Sequence, residues 1–168
     1  KELVTMNHAS GILFDIHGHG ENPDGFYDLR TWLGYLIKGD ELDLPDEELN
    51  TNTFKNKSSI RVLADSSVYT FINIVRGGTS FGTIMDSLGY ACVPSVNDLG
   101  PAGSRYFSGG YITARHGSRD GGIISAVQVE LPQPGIRDTE ENWSSYASAF
   151  ATAVGAYYFH HLGRSVQP

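Results

Sequence analysis

Residues 11–20, Gly-Ile-Leu-Phe-Asp-Ile-His-Gly-His-Gly, set Asp15, His17 and His19 at every second position at the end of an apolar segment. Side chains alternate along a strand, so Asp15 and His17 project from one face. A carboxylate beside an imidazole is costly where a buried strand ends, and α/β proteins place their sites at such ends. The bland alternative is a satisfied strand-end histidine followed by a glycine turn. A second stretch, Val127-Gln128-Val129-Glu130-Leu131, places Gln128 and Glu130 on one face of an apolar strand. A carboxylate there must be paired, neutralised or functional. A buried salt bridge to Arg137 or Arg61 would make it purely structural.

The third stretch runs Tyr106-Phe107-Ser108-Gly109-Gly110-Tyr111-Ile112-Thr113-Ala114-Arg115-His116-Gly117. Paired glycines allow a ligand to approach the backbone. Arg115 offers a fork suited to a carboxylate, and His116 an imidazole that can donate to a developing oxyanion. A glycine loop with surface charges is the plainer reading. Together the three stretches suit metal-assisted hydrolysis. A neutral imidazole is a good zinc ligand, and an unligated glutamate takes the proton from zinc-bound water. His8, His160 and His161 have no such context and read as surface or helix-end residues.

The elements that must position these groups alternate between strand and helix, which indicates an α/β layered domain. Residues 1–9 read as the end of a helix and 11–16 as the first strand. A loop over 18–30 carries His19, Glu21, Asp24, Asp28 and Arg30, and 31–37 form a second strand. Asp40 to Glu48 is a solvated acidic loop or a short helix start. Ser58-Ser59 cap a helix from Ile60 to Val75 that ends at Gly77-Gly78, and Ser80 opens another through Leu88. Tyr90–Val93 form a third strand stopped by Pro94, and Tyr111–Thr113 a short one. Ile123–Leu131 is the clearest strand, and residues 139–162 form a long helix capped at Thr139.

The 168 residues suffice for one domain, and 40% hydrophobic content is that of a globular chain. A net charge of −7 without a basic cluster argues against nucleic acid, and no apolar run is long enough for a membrane-spanning helix. The lone Cys92 permits neither a disulfide nor a cysteine zinc site, and leaves the compartment, secreted or cytoplasmic, open. Sequons at Asn56 and Asn142 hint at secretion.

Asp15-Ile16-His17-Gly18, Ser108-Gly109-Gly110-Tyr111-Ile112-Thr113 and Gln128-Val129-Glu130-Leu131, in this order, resemble the N-formylglutamate amidohydrolase family, relatives of the zinc carboxypeptidases. The similarity spans nearly the whole chain. It implies a three-layer α/β/α fold with a mixed sheet, phosphorylase/hydrolase-like, and one zinc ion. By the Asp-x-His motif, His17 would be a zinc ligand, oriented by Asp15, with His19 a further candidate. By the Gln-x-Glu motif, Glu130 would be general base and then general acid. Gly109, Gly110, Tyr111 and Arg115 would contact the substrate, Arg115 through its carboxylate, and His116 would serve the oxyanion.

Hydrolases of this group draw two more ligands, a histidine and an acidic residue, from a segment ahead of the Asp-x-His strand, and no His-x-x-Glu spacing occurs here. Three explanations follow. The chain is the C-terminal, larger portion of a single amidohydrolase-like domain, with the N-terminal portion on a companion chain of the same precursor. Or the protein is an inactive relative. Or His17, His19 and an acidic residue such as Glu21 form a substitute site. The expected activity is hydrolysis of an amide bond in a small N-acylated amino acid or peptide-like substrate. The alternatives are a catalytically inactive structural or partner-binding subunit, served by the acidic loop, and a carboxypeptidase acting on longer peptides.

Overall fold

The structure, a computed structural model, describes residues 10–163 and 165. The helix end read over 1–9 lies outside the described residues. Four strands form one mixed sheet: β1 (Gly11–Gly18), β2 (Thr31–Gly34), β3 (Cys92–Val93) and β4 (Ile124–Leu131), in the order β1-β4-β2-β3. β1 runs parallel to β4, β4 antiparallel to β2, and β2 parallel to β3. The helices are α1 (Gly39–Leu42), α2 (Asp46–Leu49), α3 (Asn52–Lys57), α4 (Arg61–Ser66), α5 (Phe71–Arg76), α6 (Phe81–Ser87), α7 (Tyr111–His116) and α8 (Glu140–Leu162). The chain is thus α/β, as its alternating pattern predicts, and its sheet is mixed, as the resemblance implies. Among the described residues no helix is long and apolar enough to cross a membrane.

Long-range packing puts α6 and α8 on one face of the sheet. Phe14 of β1 meets Phe81 at 4.9 Å and Phe150 at 5.4 Å, and Phe81 meets Phe150 at 5.1 Å. Edge-to-face and tilted rings at such spacing add to the burial of their area. α8 is uncharged from Asn142 to Phe159 and begins as expected, with the Thr139 hydroxyl accepting from the Asn142 amide. The opposite face carries α7 and the glycine loop.

Several local expectations are corrected. The helix expected over 60–75 is two, α4 and α5. Ser66 donates back to the Val62 and Leu63 carbonyls, and the Ser67 hydroxyl accepts from the Tyr69 amide. Such local bonds compete with the helical ladder and stop it. Ser58 and Ser59 do not cap it; Ser59 donates instead to the Ala126 carbonyl at 2.6 Å, pinning this turn to β4. β2 ends at Gly34 rather than residue 37, because Leu36 adopts a left-handed φ of 63° while its amide bonds Ser108. Tyr111–Thr113 open a helix rather than a strand, with Ala114 donating back to Gly110.

The acidic stretch takes the short-helix alternative, as α1 and α2, and also holds a buried cation. Arg76, 2% exposed, reaches into it from α5 and donates to the Leu42, Leu44 and Leu99 carbonyls and to Asp46. α1, α2 and the loop after β3 therefore share one buried cation. Arg76→Met leaves those carbonyls without a donor, and each orphaned buried group costs about 1–3 kcal/mol. Urea unfolding at neutral pH is expected to show a loss of about 3 kcal/mol at constant slope; a change below about 0.5 kcal/mol would mean water replaces the guanidinium freely.

Candidate functional site

The two registers at β4 lay the polar side chains out as a lattice. His17 pairs across to Glu130 and Glu130 to Trp32; one step back, Asp15 pairs to Gln128 and Gln128 to Gly34. All six lie on one face, because cross-strand partners share a face. This is the face opposite Phe14 and α8. Sequence reasoning placed Asp15 with His17 and Gln128 with Glu130; the sheet brings the two pairs side by side.

His17 Nε2 lies 2.9 Å from Asp15 Oδ1, and its side chain is 45% exposed while that of Asp15 is nearly buried. Thr113 on α7 donates to the other oxygen, Oδ2, at 3.5 Å. A carboxylate bonded to one ring nitrogen fixes the imidazole and leaves the second nitrogen available, as in metal-ligating histidines. Glu130, 6% exposed, forms no ion pair among the described residues. The salt bridge that would have made it structural is absent there. Arg137 donates to the Leu131 and His19 carbonyls, and Arg61 to the Arg119 carbonyl. Glu130 is held by Gln128, whose Nε2 donates to Oε1 at 2.6 Å.

The glycine loop closes over this face. A Cβ on Gly34 would lie 2.6 Å from the Ser108 carbonyl carbon, so only glycine lets the loop cross β2 here. Gly109 turns the chain at a φ of 129°, and the Gly110 amide donates to Gln128 Oε1. Gly109 and Gly110 thus border the row. Tyr111 and Arg115 are one helical turn apart on α7, on the side away from Thr113, and are exposed. Arg115 lines a separate hollow of about 290 Å³ with Ala114, Arg119 and Asp120. His116 is half-buried at the end of the same helix.

His19 is neither an open ligand nor a simple turn residue. It is 2% exposed and stacks on Trp32 with ring centroids 3.7 Å apart at 6°. Its Nε2 donates to the Arg30 carbonyl at 3.0 Å, and Nδ1 has no partner. Glu21 is exposed, and no group of three His, Cys, Asp or Glu is placed to hold a metal among the described residues. Among the described residues His17, His19 and Glu21 are not gathered as a metal site, and the Nε2 of His19 is taken by a backbone carbonyl.

Sequence reasoning missed the wall behind His19. Asp28 accepts from the Arg30 guanidinium and from Trp32 Nε1 at 3.0 Å, and Arg30 also pairs with Asp98. The signal was the two-residue spacing of Asp28, Arg30 and Trp32. Burial opposes ionisation of Asp28, but the Arg30 hydrogen bonds prevail and hold it below its usual range. Burial lowers the pKa of His19, partly offset by the Arg30 carbonyl. His161 is lowered by burial as well, beneath the Thr79 carbonyl.

Comparison with protein families, with curated proteins and with solved structures finds no match to this chain.

A histidine whose folded pKa lies below the ordinary 6.5 binds its proton more readily when unfolded. Unfolding free energy is therefore expected to fall as pH drops below about 6.5, and to keep falling until the folded-state pKa is passed. His19→Phe preserves the stack on Trp32 and should make that decline shallower in denaturant titrations from pH 7 to 5, leaving the part due to His161. An unchanged slope would show that His19 takes up its proton without leaving its place.

Proposed function

We propose that this chain is the C-terminal, larger portion of a metal-dependent amidohydrolase similar to the N-formylglutamate amidohydrolases, in a three-layer α/β/α domain of the phosphorylase/hydrolase-like kind. The observation that carries the reading is the parallel register setting His17 level with Glu130, under a glycine loop. Glu130, tied at one oxygen, takes a proton from water with the other and returns it to the leaving nitrogen. The loop around Gly109 and Gly110 borders the acyl end of a small N-acylated amino acid or peptide-like substrate, and the resemblance assigns His116 to its oxyanion and Arg115, on the outer side of α7, to its carboxylate.

The residues present do not by themselves fit a catalytic zinc, which takes three protein ligands. His17, with its second nitrogen free and Asp15 behind it, suits one of the three; the described residues gather no others around it. The reading therefore includes a companion portion that supplies a histidine and a carboxylate. Two features support it. β1, which bears His17, is an edge strand among the described residues, apolar and without lysine or proline to discourage pairing. Beside it Ile16, Trp143, Ala147 and Phe150 line an apolar groove of about 560 Å³.

The same groove favours a second reading: an inactive relative that binds a partner and holds no metal. Elemental analysis of the native protein, purified without chelators, separates the two. The enzyme reading expects about one zinc per assembled molecule. It also expects Glu130→Gln to keep the zinc while turnover of N-formyl amino acids falls by about 10³-fold or more, the loss of general-base catalysis. Zinc-free native protein would favour the partner-binding reading, and full turnover in Glu130→Gln would remove Glu130 from the chemistry.

A further inference from the structure

Gln128 is 5% exposed in the centre of β4, and both ends of its amide are bonded. Because the Gly110 N–H can only donate, the oxygen of the amide must face Gly110 and its NH2 group must face Glu130. The orientation of this side chain is thereby fixed by its neighbours. Its Nε2 is the one described protein group bonded to the Glu130 carboxylate, and it holds Oε1; Oε2 has no protein partner among the described residues. Gly110 in turn starts α7, and α7 carries Thr113, which donates to Asp15, the residue that orients His17. A single path of hydrogen bonds and one helix turn therefore links Glu130 to His17 through Gln128.

A buried glutamine of purely structural use would need partners, and these two bonds supply them. The choice of partners argues for more. One is the loop amide that borders the row, the other a buried carboxylate of β4 that meets no cation among the described residues. We infer that Gln128 is a positioning residue for the general base: it immobilises Oε1 of Glu130, leaves Oε2 as the atom that meets water, and sets the glycine loop at a fixed distance from it. The inference rests on the reading of Glu130 as the general base of an amidohydrolase.

Two variants of the intact, zinc-loaded protein test it, with N-formyl-L-glutamate as the probe substrate. Gln128→Glu is nearly isosteric and keeps an acceptor for Gly110 but loses the donor to Glu130. Gln128→Met loses both. In Gln128→Glu, kcat is expected to fall about 10- to 100-fold while KM stays within about threefold, since a hydrogen bond to a charged group is lost at the reacting end only. Bound zinc should stay near wild type, and the melting temperature should fall, since a second carboxylate is then buried against Glu130. Amide hydrogen exchange at Gly110 should quicken in Gln128→Met and remain slow in Gln128→Glu.

Wild-type kcat in Gln128→Glu, in a preparation whose parent hydrolyses the probe, overturns the positioning role and leaves the enzyme reading intact. Unchanged Gly110 exchange in Gln128→Met overturns it too, because the loop tether would then be absent. A parent with neither zinc nor hydrolysis overturns the enzyme reading, and the role of Gln128 with it.

Discussion

The pairing of β1 with β4 decides whether this molecule has a site at all. The side-chain period of a strand is two, so a slip of one residue would turn His17 and Asp15 toward α8 and Phe14 toward the loop. The register is held from the other face. Phe14 is locked between Phe81 and Phe150, so the aromatic cluster that stabilises the core also determines which side chains meet on the polar side. Truncating a core phenylalanine typically costs about 3–5 kcal/mol. A competing register would forfeit an amount of that order while burying a histidine. Core packing and site geometry are one constraint seen from two faces.

The polar face then has to satisfy what the register imposes. A carboxylate left unpaired in a sheet interior is destabilising by several kcal/mol. The chain meets this with neutral donors rather than a cation: Gln128 for Glu130, Thr113 for Asp15. Among the described residues the arrangement leaves one Glu130 oxygen and one His17 nitrogen without a protein partner. The wall behind His19 is built the opposite way, with Arg30 neutralising both Asp28 and Asp98. Charge is cancelled where the structure needs rigidity and left uncancelled in the row.

The fold class and the pairs on each strand were legible because they depend on local periodicity. Asp15 with His17 and Gln128 with Glu130 follow from alternation alone, as does the Thr139 start of α8. What joins the pairs was not legible, since the parallel register is set by residues more than a hundred positions apart. The break between α4 and α5 was written in Ser66 and Ser67, whose hydroxyls favour local bonds, but apolar spacing outweighed that signal. The surroundings of His19 were not legible either. A histidine between glycines looks like a turn residue, and only Trp32, brought up by the antiparallel strand, makes it a buried stack.

The energetic balance of the row bears on what it is for. Buried polar and ionic groups can often be replaced by apolar residues of similar size at no loss, and sometimes with a gain in stability. A leucine at Glu130 and another at Gln128 would extend the apolar run from Val127 to Leu131 and remove the need for a loop amide to bond a side chain. Neither the hydrophobic cluster nor the Arg76 clamp includes these groups. Glu130 and Gln128 are themselves buried, while the neighbouring His17 is half open to solvent and Gly34 gives up its side chain so that the loop can reach the row. Packing thus holds a polar row in register, and the glycine loop that reaches it crosses β2 only where Gly34 carries no side chain.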